Sequence, residues 1–305
     1  MHDVAITELE AGQRLDRWLR KLLPTMPLGA IFQKLRSGAI RVDGKKVAGS
    51  LRLAAGMKVS LPPGARTAAA PPPVAARTGP LPDELRPRIV HRDDHLLVLS
   101  KPAGLAVHVG SGVVHSVVDW LDAQDLGPRS ATFRPAPAHR LDRGTAGLLV
   151  VGLSPVALRA LTAAFRDGTV QKVYHAVVHG VPRPRQGVIE APLVDLDAPR
   201  ADGPKVAVRA DGQAASTQYE VVRSGGGRAL LRLRPQQGRQ HQIRAHLAWL
   251  GHAIVGDRRY GKASATDRRL LLHCSELTFP HPATGAPFVA REPVPAALRQ
   301  AVATD

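Results

Sequence analysis

The feature that most constrains the fold of this chain is a stretch that cannot contribute to a hydrophobic core. Residues 63–88 consist largely of proline, alanine, glycine and arginine, and their few apolar residues do not recur at the period of a helix or a strand. Such a composition is typical of a linker. We therefore predict two folded units, over residues 12–62 and 89–305, with the first tethered to the second rather than docked against it.

The charge of the chain indicates a polyanionic partner. Among 305 residues, Lys and Arg number 42 and Asp and Glu 25, which gives a formal net charge of +17. Nucleic acid is the leading candidate, and a membrane surface is the alternative. No apolar run is long enough to span a bilayer and no signal-peptide pattern opens the chain, so we expect a cytoplasmic protein without a membrane partner. We also expect a monomer. The single cysteine, Cys274, excludes an intramolecular disulfide and a multi-cysteine zinc site.

The first unit carries the pattern of two short helices and a small sheet. Apolar residues recur at helical spacing over residues 15–22 and 28–35, and Gly38 is placed to stop the second helix. The dipeptide Asp43-Gly44 suits a tight hairpin turn. Strands are predicted over residues 39–42, 45–47 and 57–61.

Basic residues cluster on the polar side of this unit and predict contact with phosphates. They are Arg14, Arg17, Lys34, Arg36, Arg41, Lys45 and Lys46. The alternative is an ordinary solvated basic face. The wording RLDRWL, followed by LRSGAIRVDGKKV, resembles an S4 RNA-binding domain. That resemblance implies that these residues bind RNA.

The second unit contains a central motif, PAHRLDRGTAGLLVVGL, that isolates one carboxylate between two cations. Asp142 lies between Arg140 and Arg143, and a strand-like apolar run follows over residues 148–151. Opposite charge nearby favours the ionised form of a carboxylate, which could then act as a nucleophile or a base. The alternative is that Asp142 simply pairs with these arginines on a surface turn.

A second informative block, GRQHQIRAHLAWLGHAIVGDRRYG, begins at Gly238. Apolar residues at helical spacing predict a helix that Gly251 ends, with Gln240 and Arg244 on one face of it. The histidines of this block suggest zinc, but the first two lie too far apart around a helix, and no acidic or thiol ligand joins them. We therefore predict no metal site. The three histidines are His241, His246 and His252.

Between these blocks, the strand pattern over residues 170–178 places Lys172, Tyr174 and Ala176 on one face. An aromatic ring on such a face can stack on a nucleobase, although an ordinary strand tyrosine is the alternative. Further elements are predicted as a strand over residues 95–99, helices over 117–121, 155–167 and from about 295, and a hairpin of strands 216–222 and 229–233.

Together these motifs resemble the RluA family of pseudouridine synthases, and most closely its RluC/RluD-type branch. The central motif matches the family's H-R-L-D-x-x-T-S-G-L-L with Ala146 in place of Ser. The segment from Lys101 matches K-P-x-G-x-x-V-H, and the segment around Tyr174 matches K-x-Y-x-A. The second block matches the family's G-R-x-H-Q-I-R-x-H-L-A pattern and its G-D-x-x-Y-G ending, with Gln240 for the usual Thr and Ala253 for the usual Pro.

The resemblance implies an α+β protein, with a small S4-like α/β domain and a predominantly antiparallel β catalytic domain flanked by helices. It implies isomerisation of uridines to pseudouridine in RNA, with 23S ribosomal RNA as the substrate. The reaction cleaves the glycosidic C–N bond, turns the uracil and joins its C5 to the same sugar carbon. Because no atoms or electrons are exchanged with another molecule, it implies no cofactor.

The resemblance also assigns roles to site residues. By position, Asp142 is the catalytic carboxylate, Arg244 the cation that pairs with it, and Tyr174 the ring that holds the flipped base. Arg140 fills the space that the base leaves. The set expected to bind substrate is His139, Arg140, Lys172, Arg239 and Gln242.

Two other classes of function stay open at this level. One is a non-catalytic S4-type RNA-binding or ribosome-assembly factor, for which Asp142 would be dispensable. The other is a nucleoside or glycoside hydrolase, which generally needs a second carboxylate that the main motifs lack. The choice between nucleophile and base for Asp142 is also open.

Overall fold

The computed structural model describes residues 2–65, 67, 80–110, 113–126, 129–196, 203–261, 267 and 269–302. Part of the predicted linker, residues 66 and 68–79, lies outside these ranges. The helices are α1 (Leu15–Leu22), α2 (Leu28–Ser37), α3 (Val117–Ala123), α4 (Pro155–Arg166), α5 (Gln242–Trp249) and α6 (Ala296–Gln300), with a 3₁₀ turn at Asp83–Leu85. None of the helices in the described ranges is long and apolar enough to cross a membrane.

Strands dominate the rest of the chain, which confirms the predicted α+β class. The strands of the first part are β1 (His2–Ala5), β2 (Arg41–Val42), β3 (Lys58–Leu61), β4 (Arg88–Arg92), β5 (Leu96–Lys101), β6 (Ala136–Pro137) and β7 (Ala146–Gly152). Those of the second part are β8 (Gln171–His179), β9 (Gln186–Glu190), β10 (Leu193–Asp195), β11 (Val206–Val208), β12 (Ser216–Gly225), β13 (Arg228–Pro235), β14 (Leu272–Pro280) and β15 (Pro287–Arg291).

The small N-terminal unit packs α1 and α2 against a three-stranded sheet of order β1-β3-β2. The predicted helices are confirmed, and Gly38 ends α2 in the left-handed conformation, with φ 76°. The turn at Asp43 and Gly44 is also present, but only Lys45 bridges back to Val42, so the strand predicted over residues 45–47 does not form. Strand β1 was not predicted, and it extends this unit from residue 12 to His2.

The expectation that the small unit is only tethered was wrong, because it hydrogen-bonds to the large unit. The Lys21 amine donates to the Thr132 carbonyl at 2.8 Å. The guanidinium of Arg159, on α4, donates to the Ala11 carbonyl at 3.2 Å. The linker composition could not reveal this docking, since the contacts are made by residues outside the linker.

The large unit is built on a ten-stranded, mostly antiparallel sheet of order β4-β5-β7-β14-β8-β13-β12-β9, with β15 on β14 and β6 on β7. Strand β14 pairs in parallel with the start of β7 and antiparallel with β8. Gly147 makes this junction possible: its φ is 108°, and a Cβ there would lie 2.2 Å from the Cys274 carbonyl oxygen. The junction brings the Asp142 loop, which precedes β7, close to the strand that carries Tyr174.

The other predicted elements of the large unit are present, with one shift. The Ser154 hydroxyl caps α4 by accepting the Ala157 N–H at 3.1 Å, and β12 and β13 form the predicted hairpin. Helix α5, however, begins at Gln242, because His241 adopts a left-handed φ of 51°. Gln240 therefore lies before the helix and does not share a helical face with Arg244, which corrects the prediction.

Candidate active site

A narrow pocket of about 90 Å³ opens where the loop before β7, strand β8 and the start of α5 meet. Elements far apart in sequence line it, because β14 lies between β7 and β8 and α5 follows β13. The predicted site residues that line it are Arg140, Asp142, Lys172, Tyr174, Arg239, Gln242 and Arg244. The structure thus brings these side chains to one place.

Asp142 and Arg244 are in direct contact inside this pocket. Arg244 Nη1 donates to Asp142 Oδ2 at 2.9 Å, and the side chains are 9% and 19% exposed. The arginines beside Asp142 in sequence do not take this place. Arg143 Nε donates to the Gly104 carbonyl at 3.0 Å, and Arg140 is exposed at the pocket. A simple surface pairing of Asp142 with its sequence neighbours is therefore not what forms.

Arg244 is fixed from its other side by a second carboxylate, Asp257. Its Nε and Nη2 donate to the two oxygens of Asp257 at 2.8 and 2.9 Å, the bidentate geometry that suits a guanidinium. Burial alone would lower the pKa of Arg244, but the hydrogen bonds and charge of Asp257, followed by those of Asp142, raise it above its usual value. The cation beside Asp142 is therefore permanent and held in one orientation.

A histidine and a tyrosine complete the surroundings of Asp142. Tyr260 OH accepts the Val206 N–H at 3.1 Å and lies 2.9 Å from His241 Nδ1. The other ring nitrogen of His241, Nε2, lies 3.5 Å from Asp142 Oδ2. Burial lowers the pKa of His241 to about 4, although the charge of Asp142 opposes this. His241 is thus neutral near pH 7, and its Nε2 faces the carboxylate.

Tyr174 and Lys172 enter the pocket from β8. Tyr174 pairs across the sheet with Leu233 and Cys274 and packs against the apolar clusters on both sides of the site. Burial raises its pKa well above the usual value, so the phenol stays neutral. Lys172 Nζ lies 3.4 Å from the Gln237 carbonyl, and burial lowers its pKa. The pocket thus offers one aromatic ring and one amine beside the acid.

Gln242 and Arg239 line the pocket in different ways. The Gln242 amide is 4% exposed: its Nε2 donates to Ser216 O and Thr217 Oγ1, and its Oε1 accepts the Arg239 N–H at 3.1 Å. It shapes the wall and has little capacity left for a ligand. Arg239 is exposed, and its side chain is accessible to one.

His139 was expected to bind substrate, but the structure places it outside the pocket lining. Its ring stacks on Phe165 of α4 with centroids 4.0 Å apart, and Nε2 accepts the Val150 N–H at 3.0 Å. Burial lowers its pKa to about 3, so it is neutral. His139 therefore supports the Asp142 loop from behind.

Lys101 anchors the same loop from beneath. It is fully buried, and its Nζ donates to the carbonyls of Pro102, Leu105 and Arg143 at 2.9, 2.7 and 3.3 Å. Burial lowers its pKa to about 7, and the charge of Asp142 opposes this. One amine thus ties the turn after β5 to the residue next to Asp142.

The other histidines of the second block have partners within the fold. His246 Nδ1 lies 2.9 Å from Thr217 Oγ1 and its Nε2 lies 2.9 Å from the Ala191 carbonyl. His252 Nδ1 lies 2.9 Å from the His179 carbonyl. Within the described part of the chain, no group of three or more His, Cys, Asp or Glu side chains is arranged to hold a metal ion.

Sequence reasoning missed four contributors to the site: Lys101, His241, Asp257 and Tyr260. Their signal was present, since Lys101 opens the K-P-x-G segment, His241 lies in the second block, and Asp257 and Tyr260 belong to G-D-x-x-Y-G. The motifs marked these positions, but only the fold shows that they surround Arg244 and Asp142.

The pocket thus holds one carboxylate, Asp142, beside a fixed cation, Arg244. A family model described as RNA pseudouridylate synthase matches residues 95–249. The ribosomal large subunit pseudouridine synthase C of Vibrio vulnificus is 37% identical over 306 residues, covering 98% of this chain and 95% of that protein. The protein of the same name from Escherichia coli K12 is 36% identical over 309 residues, covering 97% and 94%.

Solved structures agree. Human RNA Pseudouridylate Synthase Domain Containing 4 is 29% identical with a TM-score of 0.57, over 69% of this chain and 90% of that one. Human RNA Pseudouridylate Synthase Domain Containing 1, at 22% identity, shares the fold with a TM-score of 0.59, over 70% and 86%. The chain therefore belongs to the RNA pseudouridylate synthase family, in its RluA group, as its motifs predicted.

Proposed function

We propose that this enzyme converts specific uridines of large-subunit ribosomal RNA to pseudouridine. The observation that carries the proposal is the Asp142 carboxylate, held at 2.9 Å by the doubly anchored Arg244 inside a narrow pocket. The relatives that match nearly the whole chain carry the name ribosomal large subunit pseudouridine synthase C, which supports this class of substrate.

In the proposed reaction, Asp142 acts on the ribose of the target uridine, either by attack on the sugar carbon or by removal of a proton from the sugar. The C–N bond breaks, the uracil turns, and its C5 bonds to the same carbon. C5 loses its hydrogen as a proton, and the freed N1 gains one. Arg244 places a fixed positive charge beside the carboxylate and orients it. The atoms and electrons of substrate and product balance without another reactant.

The target base must leave the RNA stack to reach the pocket. Tyr174 offers the ring on which the flipped uracil stacks, and Arg140, exposed at the pocket, is placed to fill the vacated space. Lys172 and Arg239 supply cations for the phosphates next to the target. His139 is not retained in this set, because it packs behind the loop.

The N-terminal unit is proposed to be an S4-like RNA-binding domain, followed by a linker over residues 63–88 and the catalytic domain over 89–305. Exposed cations support this role: Arg14, Arg17, Arg36, Arg41, Lys45 and Lys46 are exposed, and Lys34 is half-buried. Arg14 is partly neutralised by Asp16, 2.7 Å away. We further propose that the enzyme works as a monomer in the cytoplasm.

The test is to map pseudouridines in ribosomal RNA from cells with the wild-type gene, without it, and with Asp142→Asn. We expect specific sites to disappear in the last two strains, while purified Asp142→Asn still binds RNA. Pseudouridine formation by Asp142→Asn would contradict the catalytic role of this carboxylate. Release of free uracil by the wild-type enzyme would indicate a hydrolase, and an unchanged map without the gene would contradict the substrate.

A further inference from the structure

A second cavity, of about 320 Å³, lies beside the catalytic pocket, and Arg239 lines both. This volume falls in the range of sites that bind small ligands. We call it the flanking pocket and define it by Leu193, Asp195, Val206 and Gln240 together with Arg239. An RNA chain continues on both sides of a flipped uridine. A cavity that shares a wall with the catalytic pocket is therefore placed to receive the next nucleotide.

The floor of the flanking pocket is apolar and well defined. Leu193 on β10 and Val206 on β11 are 4% and 2% exposed. The turn at Gly212 is pressed against strand β10, since a Cβ there would lie 2.6–2.7 Å from the Leu193 backbone. The Gln213 N–H donates to the Leu193 carbonyl at 2.8 Å, which fastens the turn. A planar base could lie on this floor.

Its rim carries hydrogen-bonding groups that are free to recognise a ligand. Gln240 and Asp195 are exposed, and their side chains make no hydrogen bond to any residue in the described ranges. Asp211, also at this cavity, differs because Arg209 holds both of its oxygens, at 3.0 and 2.6 Å. The free amide and the free carboxylate are thus the groups that can read a base.

The chemistry of these two groups selects among bases. A glutamine amide pairs with adenine by accepting from its N6 amino group and donating to N7, and a carboxylate accepts from an exocyclic amino group. Uracil has no amino group and presents carbonyl oxygens to a carboxylate. Gln240 is also one of the three positions at which this chain departs from the family motifs that it otherwise matches, with Thr the usual residue there. A preference read by Gln240 would therefore belong to this chain rather than to every relative.

We infer that the flanking pocket binds the nucleotide next to the target uridine and favours a base with an exocyclic amino group, adenine above all. The inference rests on the proposed function, and it adds a sequence preference to it. Arg239, between the two cavities, is placed to bind the phosphate that joins the two nucleotides.

The test uses short RNA hairpins that contain a mapped target uridine, with each neighbouring position set in turn to A, C, G or U. Single-turnover rates follow from the release of tritium from C5 of the target, because bonding C5 to the sugar expels that hydrogen. Binding of the same hairpins to Asp142→Asn is measured in parallel by fluorescence anisotropy. At one neighbouring position, we expect U in place of A to reduce the wild-type rate about tenfold.

Gln240→Ala and Asp195→Asn should each bring the single-turnover rates on the A and U hairpins to within about twofold of each other. The matched control is Gln236→Ala, an exposed glutamine of the same segment that lines neither cavity, and it should keep the preference. Equal wild-type rates on all hairpins, or a preference that survives both pocket variants, would overturn the inference. A base preference in binding that depends on Gln240, without any tritium release, would support the flanking pocket while contradicting the synthase function.

Discussion

Asp257→Asn tests whether the second carboxylate controls the proposed catalytic pair, Asp142 and Arg244. Asp257 is 3% exposed and takes two hydrogen bonds from Arg244, whereas Asp142 takes one. Asparagine keeps the shape and an oxygen for the Arg259 and Tyr260 N–H groups, which lie 3.0 and 3.2 Å from Oδ1 of Asp257. The turn should therefore survive, while the bidentate hold on Arg244 is lost.

The size of the effect follows from the two roles of Arg244. Breaking a buried ion pair costs about 3–5 kcal/mol of unfolding free energy. The lower end, about 3 kcal/mol, applies here because Asp142 still compensates the guanidinium charge. A guanidinium released on one side can move by about 1 Å, and a misplacement of that size costs about 100-fold in rate. We expect kcat to fall about 100-fold with KM within about twofold of wild type.

Steady-state kinetics on a mapped RNA target and urea unfolding measure the two effects separately. Asp267→Asn is the matched control. Asp267 is a 9% exposed carboxylate that accepts a hydrogen bond of 3.0 Å from Arg228, and neither residue lines the pocket. It should lose a similar amount of stability and keep its kcat. If Asp257→Asn also keeps its kcat while losing stability, the anchoring of Arg244 by Asp257 does not matter for catalysis.

Two further predictions follow from buried and exposed amines. Burial lowers the pKa of Lys101 from 10.5 to about 7. Between pH 7 and 10.5 the Lys101 amine is therefore protonated to a greater extent in the unfolded chain than in the folded one. The difference in unfolding free energy between wild type and Lys101→Met should therefore rise between pH 7 and 10, by at most about 1.4 kcal/mol per pH unit. Below pH 6 this difference should stay constant, and urea titrations at each pH measure it. A difference that is constant over the whole pH range would contradict the lowered pKa. Replacing the exposed Lys45 and Lys46 by Ala should lower the salt dependence of RNA binding by about two units of log–log slope in anisotropy titrations, whereas an unchanged slope would argue against phosphate contacts there.

The sequence could predict those elements whose cause is local. Periodic apolar residues, the Ser154 cap and Gly38 placed the helices correctly. Strand β1 was missed because only Val4 among its residues is even partly buried, so it lacks an alternating pattern. The start of α5 was misplaced because the left-handed turn at His241 is fixed by its neighbours in space, not by its residue type.

In the site, too, local sequence patterns predicted some features and missed those that depend on distant residues. Motif resemblance marked Asp142 and Arg244, which lie together, but charge pattern alone pointed to the wrong partners. Arg140 and Arg143 are next to the acid in sequence, yet the partner is on α5. Asp257 was overlooked because it precedes Arg258 and Arg259 and looks like part of a solvated turn. Neighbours in sequence predict charge balance poorly when a sheet brings distant loops together.

The two oxygens of the Asp142 carboxylate differ in their contacts, which bears on its proposed role. Its Oδ2 accepts from Arg244 and faces His241 Nε2, whereas its Oδ1 makes no hydrogen bond to any side chain or backbone group in the described ranges. The contact with Arg244 therefore occupies one oxygen of Asp142 and leaves the other accessible to a substrate. A carboxylate clamped on both oxygens, as Asp257 is, would be too well solvated by donors to attack a sugar or accept its proton. Of the two acids that share Arg244, Asp142 is therefore the one that keeps an oxygen available to a substrate.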